Sequence, residues 1–286
     1  MPDLTPDDIY RHEPMPQSQD EARARHESNR AAWNEGAAMY TAGIEEAIAF
    51  LRAGKSNLHP VERSYLAPIL PQIKTAIHLQ CASGRDTLSL WNEGVPRVIG
   101  VDISDVHIAN ARQITAALNA PAEWYRCDLL DTPHELDGAA DLVYTGRGAM
   151  CWINDLDGWA GVVTRLLKPG GYLSLFDDHP VSWLFNIEAE TYQYDNIDFF
   201  NHADSGLGWP STYIGDQAGP LEQQSRKYEC LWPIARIVQA LLERGLVLRH
   251  LGEHPDPYWE VFPNLQPELR GKIPLTFSLL AQKSAN

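Results

Sequence analysis

Cysteine is scarce in this chain of 286 residues: Cys81, Cys127, Cys151 and Cys230 stand far apart with no paired spacing. That excludes a cysteine-built zinc site, gives no disulfide framework, and fits a reducing, cytoplasmic setting. Positive charge is scarce too, with 23 Lys and Arg against 38 Asp and Glu and a formal charge of −15. No basic cluster offsets that field, so neither nucleic acid nor an anionic membrane surface is an expected partner. Nowhere do about eighteen apolar residues run together, and no basic, then apolar leader stands near Met1. Neither a membrane span nor an export signal is therefore expected. The G-x-G-x-x-G turn of dinucleotide-binding folds is also missing, which counts against a nicotinamide-dependent oxidoreductase.

What is present centres on Thr75 to Leu90, TAIHLQCASGRDTLSL. A short apolar run (Ala76, Ile77, Leu79) reads as a buried strand. Small residues Cys81 to Gly84 read as a tight turn, and Asp86 or Thr87 is placed to cap the helix that follows. In an open α/β sheet such a turn faces the ligand, because the helix N-terminus offers unpaired N–H groups and small residues let a ligand lie close. A second strand, Arg97 to Ile103, sets Asp102 about eighteen residues after Gly84, where a carboxylate can accept from both hydroxyls of a ribose.

In chain order, residues 1–19 carry four prolines among charges and read as a flexible arm. Residues 20–70 form a helical cap, with helices over 20–36 and 41–52 (Thr41 as cap) and a third beginning at Pro60. Residues 71–180 alternate strand and helix, with strands near 75–80, 97–102, 122–127, 140–145 and 172–176. That pattern implies a parallel sheet covered on both faces, with its ligand at the carboxyl ends of the strands. Residues 181–231 are rich in aromatics and too long for an ordinary loop, and so read as a lid or insert. Residues 232–286 complete the sheet with a helix, a strand over 246–251 and a last strand over 275–282. The connection between those strands carries Tyr258, Trp259 and Phe262. Trp33 and Tyr40 of the cap, and both aromatic connections, stand either as packing residues or as walls of a site.

Several segments together resemble the class I S-adenosylmethionine-dependent methyltransferases. They are HLQC with Gly84-Arg85-Asp86-Thr87-Leu88, GVDIS, Cys127-Asp128-Leu129, CWINDLDGWAGVV, and LKPGG followed by Asp178-His179-Pro180. An Asn29 to Trp33 motif and a Tyr228-Glu229 pair narrow the resemblance to a bacterial small-molecule branch. It implies a Rossmann-like, seven-stranded, mostly parallel sheet with a C-terminal antiparallel hairpin, an N-terminal helical cap and an inserted aromatic lid. It also implies S-adenosyl-L-methionine as cofactor, with S-adenosyl-L-homocysteine as product. By analogy, Gln80, Cys81, Ala82, Gly84 and Thr87 lie in the cofactor-binding turn, Asp102 holds the ribose and Ile103 packs on the adenine. Cys127, Asp128 and Leu129 border the base, with Asp128 accepting from its exocyclic amine. Thr145 and Gly146 border the methionine part. His78, Gln80 and Ala82 replace the acidic residue and two glycines usual in this motif, and the Gln80 amide oxygen is able to accept from the methionine ammonium.

Methyl transfer asks for an in-line nucleophile, exclusion of water and, where the nucleophile carries a proton, a base. His179 is the first candidate base, followed by Glu229 and Asp178. The spacing of Asp177, Asp178, His179, Glu253 and His254 does not support a metal site. The expected acceptor is a small, partly aromatic or apolar metabolite. The competing readings are a cofactor-binding protein of the same fold with a non-methylating or regulatory role and, less favoured, the oxidoreductase. Oligomeric state is left open.

Overall fold

The computed structural model describes residues 5, 9–210, 213–215 and 219–285. Its centre is a seven-stranded sheet in the order β4-β3-β2-β5-β6-β10-β9. The strands are β2 (Thr75–Leu79), β3 (Arg97–Asp102), β4 (Ala122–Arg126), β5 (Ala140–Gly146), β6 (Leu167–Asp178), β9 (Leu246–His254) and β10 (Thr276–Lys283). Strands β2 to β6 pair in parallel, while β10 runs antiparallel between β6 and β9. The strand alternation divides the core between two faces. Ile77, Leu79, Ile99, Val101, Leu173 and Leu175 pack with α6 (Leu156–Leu166) and α7 (Ile234–Glu243) on one face. Ala76, Val98, Leu142 and Tyr144 pack on the other face with α3 (Pro60–Leu66) and α4 (Arg85–Asn92). Next to α4 lie α2 (Ile44–Arg52) and α5 (Asp105–Leu118), which share a smaller apolar cluster with it. Among the described residues no helix is long and apolar enough to cross a membrane.

Three differences from the sequence expectations bear on the site. First, α1 runs unbroken from Gln19 to Ala42, so the helix does not stop at Gly36 and Thr41 is no cap. The Thr41 hydroxyl donates back to the Ala37 carbonyl. Gly36 serves packing, since a Cβ there would come within 3.0 Å of both Ile214 and Trp209. Second, the segment read as a flexible arm contributes a strand, β1 (Tyr10–Glu13), although residues 1–4 and 6–8 of that arm lie outside the described residues. Third, the insert is partly regular. Its β7 (His202–Gly206) and β8 (Lys227–Leu231) pair with each other, and β1 adds to β7, making a separate antiparallel sheet in the order β1-β7-β8.

Candidate active site

At the carboxyl ends of β2, β3 and β5, under α1, lies a cavity of about 480 Å³. The turn from β2 to α4 forms one wall with left-handed backbone at Gln80 (φ 58°), Ala82 (φ 45°) and Gly84 (φ 80°). Gln80 and Ala82 hold this conformation at an energetic cost that glycine would not incur. Only glycine fits at position 84, because a Cβ there would lie 2.4 Å from the Trp124 ring. The Asp102 carboxylate accepts from the N–H groups of Ala82 and Ser104, each at 2.8 Å, and burial pushes its pKa up to about 6. Gln80 Nε2 donates to the Ala149 carbonyl at 2.9 Å, which leaves its Oε1 enclosed with no partner. Further along, Arg147 donates to the Asn57 carbonyl at 2.6 Å and faces Asp86 at 3.3 Å.

Of the residues singled out in the sequence, Gln80, Cys81, Ala82, Gly84, Asp102, Ile103, Cys127, Leu129 and Gly146 line this chamber. Three others do not. Thr87 is buried below the turn with its hydroxyl 2.8 Å from His78 Nδ1, and Thr145 is buried within β5. Asp128 accepts from the Leu130 N–H and meets His26 Nδ1 at 2.8 Å. Burial opposes its charge, but the His26 hydrogen bond prevails and its pKa lies below the usual carboxylate value. The ring of His26 lines the chamber instead.

A second cavity, of about 510 Å³, abuts the first across Trp33, Arg147, Gly148, Trp152, Tyr213, Tyr258 and Trp259, which line both. The rings of Trp33, Trp152 and Trp209 form a cluster with centroids 4.7 to 6.0 Å apart. Asp177 fixes the loop between the chambers by accepting from the N–H groups of Gly148, Ala149 and Met150. Asp178 and Glu229 both face the second cavity. Asp178 takes a hydrogen bond from Trp259 Nε1 at 3.2 Å; burial and the neighbouring Asp177 charge push its pKa up to about 7. Glu229 lies beside the Cys151 thiol, and burial with the nearby Asp204 pushes it up to about 8.

His179 lines neither chamber. Its Nδ1 accepts from the Val181 N–H at 3.1 Å, capping the turn at Pro180–Leu184, and its Nε2 therefore donates to Glu253 at 2.9 Å. Among the described residues no group of three or more His, Cys, Asp or Glu is placed to hold a metal ion.

Sequence reasoning did not anticipate how the roof is held. The Asn29 amide makes two hydrogen bonds to the backbone of Tyr228, donating to its carbonyl at 2.8 Å and accepting from its N–H at 2.7 Å. This clamp fixes α1 to β8 and brings Trp33, one turn further along α1, and Glu229, next to Tyr228, to the walls of one cavity. The co-occurrence of the Asn29 to Trp33 and Tyr228-Glu229 motifs was the signal available. Arg147 and Asp177 carried no signal of their own as site residues.

The sheet order, with its antiparallel β10 and its ligand cavity over β2, β3 and β5, is that of the class I methyltransferases. Residues 76–171, β2 to the beginning of β6, match the family described as "Methyltransferase domain". The biotin biosynthesis bifunctional protein BioCD of Bordetella avium (strain 197N) is 33% identical over 106 residues, 37% of this chain and 22% of that protein. The chain thus spans about a fifth of that relative's length. An S-adenosylmethionine-dependent methyltransferase of Mesorhizobium loti is 21% identical, with a TM-score of 0.55 over 78% of this chain and 96% of that one. Another, from Clostridium acetobutylicum ATCC 824, is 14% identical, with a TM-score of 0.55 over 86% and 99%. Geranyl diphosphate C-methyltransferase of Streptomyces coelicolor A3(2), solved with Mg²⁺, geranyl diphosphate and S-adenosyl-L-homocysteine, is 18% identical, with a TM-score of 0.52 over 78% of each chain. At these identities the likeness is one of fold.

Proposed function

We propose that this protein is an S-adenosylmethionine-dependent methyltransferase that holds the cofactor in the first chamber and a small-molecule acceptor in the second. The observation that carries this reading is the pair of abutting cavities, the first of which presents two enclosed acceptors, the Asp102 carboxylate and the unpartnered Gln80 Oε1. They suit the ribose hydroxyls and the methionine ammonium respectively. When bound, the cofactor supplies an electrophilic methyl group on a sulfonium centre. Ile103 and Leu129 offer apolar contact for the adenine, and Arg147 a guanidinium for the methionine carboxylate. Trp33 and Trp152, at the boundary of the chambers, exclude water. Glu229 and Asp178 face the acceptor space with pKa values near neutrality and serve as proton acceptors, the role that His179 is turned away from. The match to a methyltransferase domain and a solved neighbour holding a small isoprenoid diphosphate with S-adenosyl-L-homocysteine support this reading.

Parallel calorimetric titrations with S-adenosyl-L-homocysteine, S-adenosylmethionine and NADPH test it. Binding of the two sulfur ligands is expected. Binding of NADPH alone would overturn the assignment.

A further inference from the structure

We propose that the second chamber is built for a cation, and that the acceptor is a small amine held as its ammonium form between Glu229, Asp178 and the tryptophan walls. This rests on the two-chamber reading above and names the chemical class of the second ligand.

The charged groups around the chamber come from five places, and most are already committed. Asp177, on β6, is held by backbone N–H groups. Asp204, on β7, accepts from Tyr10 of β1 at 3.0 Å and meets His202 at 3.2 Å. Arg147, after β5, is engaged by Asn57 and Asp86. Lys227, on β8, donates to the Gly208 carbonyl and lies 4.6 Å over the Trp209 ring. Asp195 lies at the rim. Asp178 and Glu229 remain. Asp178 takes the Trp259 N–H and Glu229 lies beside the Cys151 thiol, but among the described residues neither forms an ion pair, and both, half-buried, face the same open volume. Lys227 is the one cation near Glu229 among those residues, and it is turned to the Gly208 carbonyl and the Trp209 ring, so the acidic groups of the chamber outnumber its cations and a bound cation lowers the cost of their charge.

The walls point the same way. Trp33, Trp152, Trp183, Trp209 and Trp259 all line the cavity. An aromatic face attracts a desolvated ammonium, as the seating of Lys227 on Trp209 already illustrates within the chamber. An anionic acceptor would meet the carboxyl groups with the wrong sign, and a neutral one would leave their negative charge uncompensated. A primary or secondary ammonium must also lose a proton before its nitrogen is nucleophilic. The Glu229 carboxylate, facing the same volume, is the group placed to take it.

The test is calorimetry at pH 7.5 on protein loaded with S-adenosyl-L-homocysteine. The probes share a phenyl ring and a short carbon arm: phenethylamine, phenethyltrimethylammonium, 2-phenylethanol and 3-phenylpropionate. Both cations are expected to bind at least about tenfold tighter than the alcohol, and the carboxylate weakest. Glu229→Gln should cut the cation preference by about tenfold while leaving S-adenosyl-L-homocysteine affinity unchanged, which shows that the variant folds. Should Glu229→Gln fail that check, Asp178→Asn is read in the same way. Cations that bind no tighter than the alcohol, in protein that holds S-adenosyl-L-homocysteine, overturn the inference. Failure of S-adenosyl-L-homocysteine itself to bind overturns the cofactor assignment instead.

Discussion

Replacing Asp102 by asparagine separates the binding role of this residue from its structural one. In the ligand-free chain the carboxyl group titrates near 6, against a reference of 3.8, because burial disfavours its charge. Holding it ionised at pH 7 therefore costs the fold about 3 kcal/mol. Asparagine removes that cost but has only one acceptor oxygen for the two N–H groups of Ala82 and Ser104, and leaving one of them unpaired costs about 1–3 kcal/mol. The two effects nearly cancel, so Asp102→Asn should melt within about 2 kcal/mol of the wild type. Binding should behave differently. Loss of a charge-assisted hydrogen bond to a ribose hydroxyl is worth about 1.5–3 kcal/mol, or roughly tenfold to a hundredfold in the dissociation constant of S-adenosyl-L-homocysteine. The wild-type affinity should also fall as pH drops below about 6, by up to about tenfold per unit, because the acceptor must then shed a proton. Calorimetric titrations from pH 7.5 to 5 on both proteins read both effects, and the asparagine variant should lack the wild-type decline. If the variant binds as tightly as the wild type, or the wild-type profile is flat, the ribose role of Asp102 is refuted.

Gly84→Ala combines a left-handed φ with a clash on Trp124, and should cost about 2–4 kcal/mol in urea unfolding. Trp124→Leu in the same chain should recover part of that loss. Asn29→Ala leaves the Tyr228 N–H and C=O without their partner and should cost about 2–4 kcal/mol. Hydrogen exchange should then quicken in β7 and β8, with little change in β2 and β3. In ligand-free protein, Glu229, Asp178 and Glu62 have pKa values raised by burial to about 8, 7 and 7, so the folded state binds protons that the unfolded state does not. Stability should therefore rise as pH falls from 8.5 to about 6.5. Below that, His78 and His107, whose burial lowers their pKa values to about 4 and 3, take up protons only on unfolding and should make the rise shallower without reversing it, since Asp102, raised to about 6, adds to the three carboxyl groups that the fold protonates. Thermal melts across pH 5 to 8.5 check both slopes.

The parallel core was legible because its signals are local. Strands such as Thr75–Leu79 and Arg97–Asp102 are short apolar runs next to small-residue turns, and α5 and α6 are capped by Ser104 and Asp155, whereas α4 starts at Gly84 with no side-chain cap, so neither Asp86 nor Thr87 caps it. The lining of the first chamber followed from that topology, since residues at the carboxyl ends of β2, β3 and β5, among them Gln80, Asp102 and Gly146, converge there. What escaped depends on partners far along the chain. Nothing in YRHE or HADSG reads as a strand; YRHE becomes one only by pairing with HADSG, which pairs on its other side with Lys227–Leu231. Asp128 fits the pattern of an adenine contact, yet α1 brings His26 to its carboxylate, a contact that spacing does not reveal. His179 has the chemistry of a base, but the backbone after β6 turns its ring toward Glu253. Gly36 looks like a helix stop until Trp209 is found lying against it.

The sheet over the second chamber has a consequence for the order in which the protein is made. Its Tyr10–Asp204 contact joins positions 194 apart, and β8 is still further along the chain. Strands β2 to β5, which carry the first chamber, close over much shorter spans. Contacts of long sequence separation form late. The nascent chain would therefore hold most of the first chamber, though not the wall made by Tyr213, Tyr258 and Trp259, before it holds the compartment beside it.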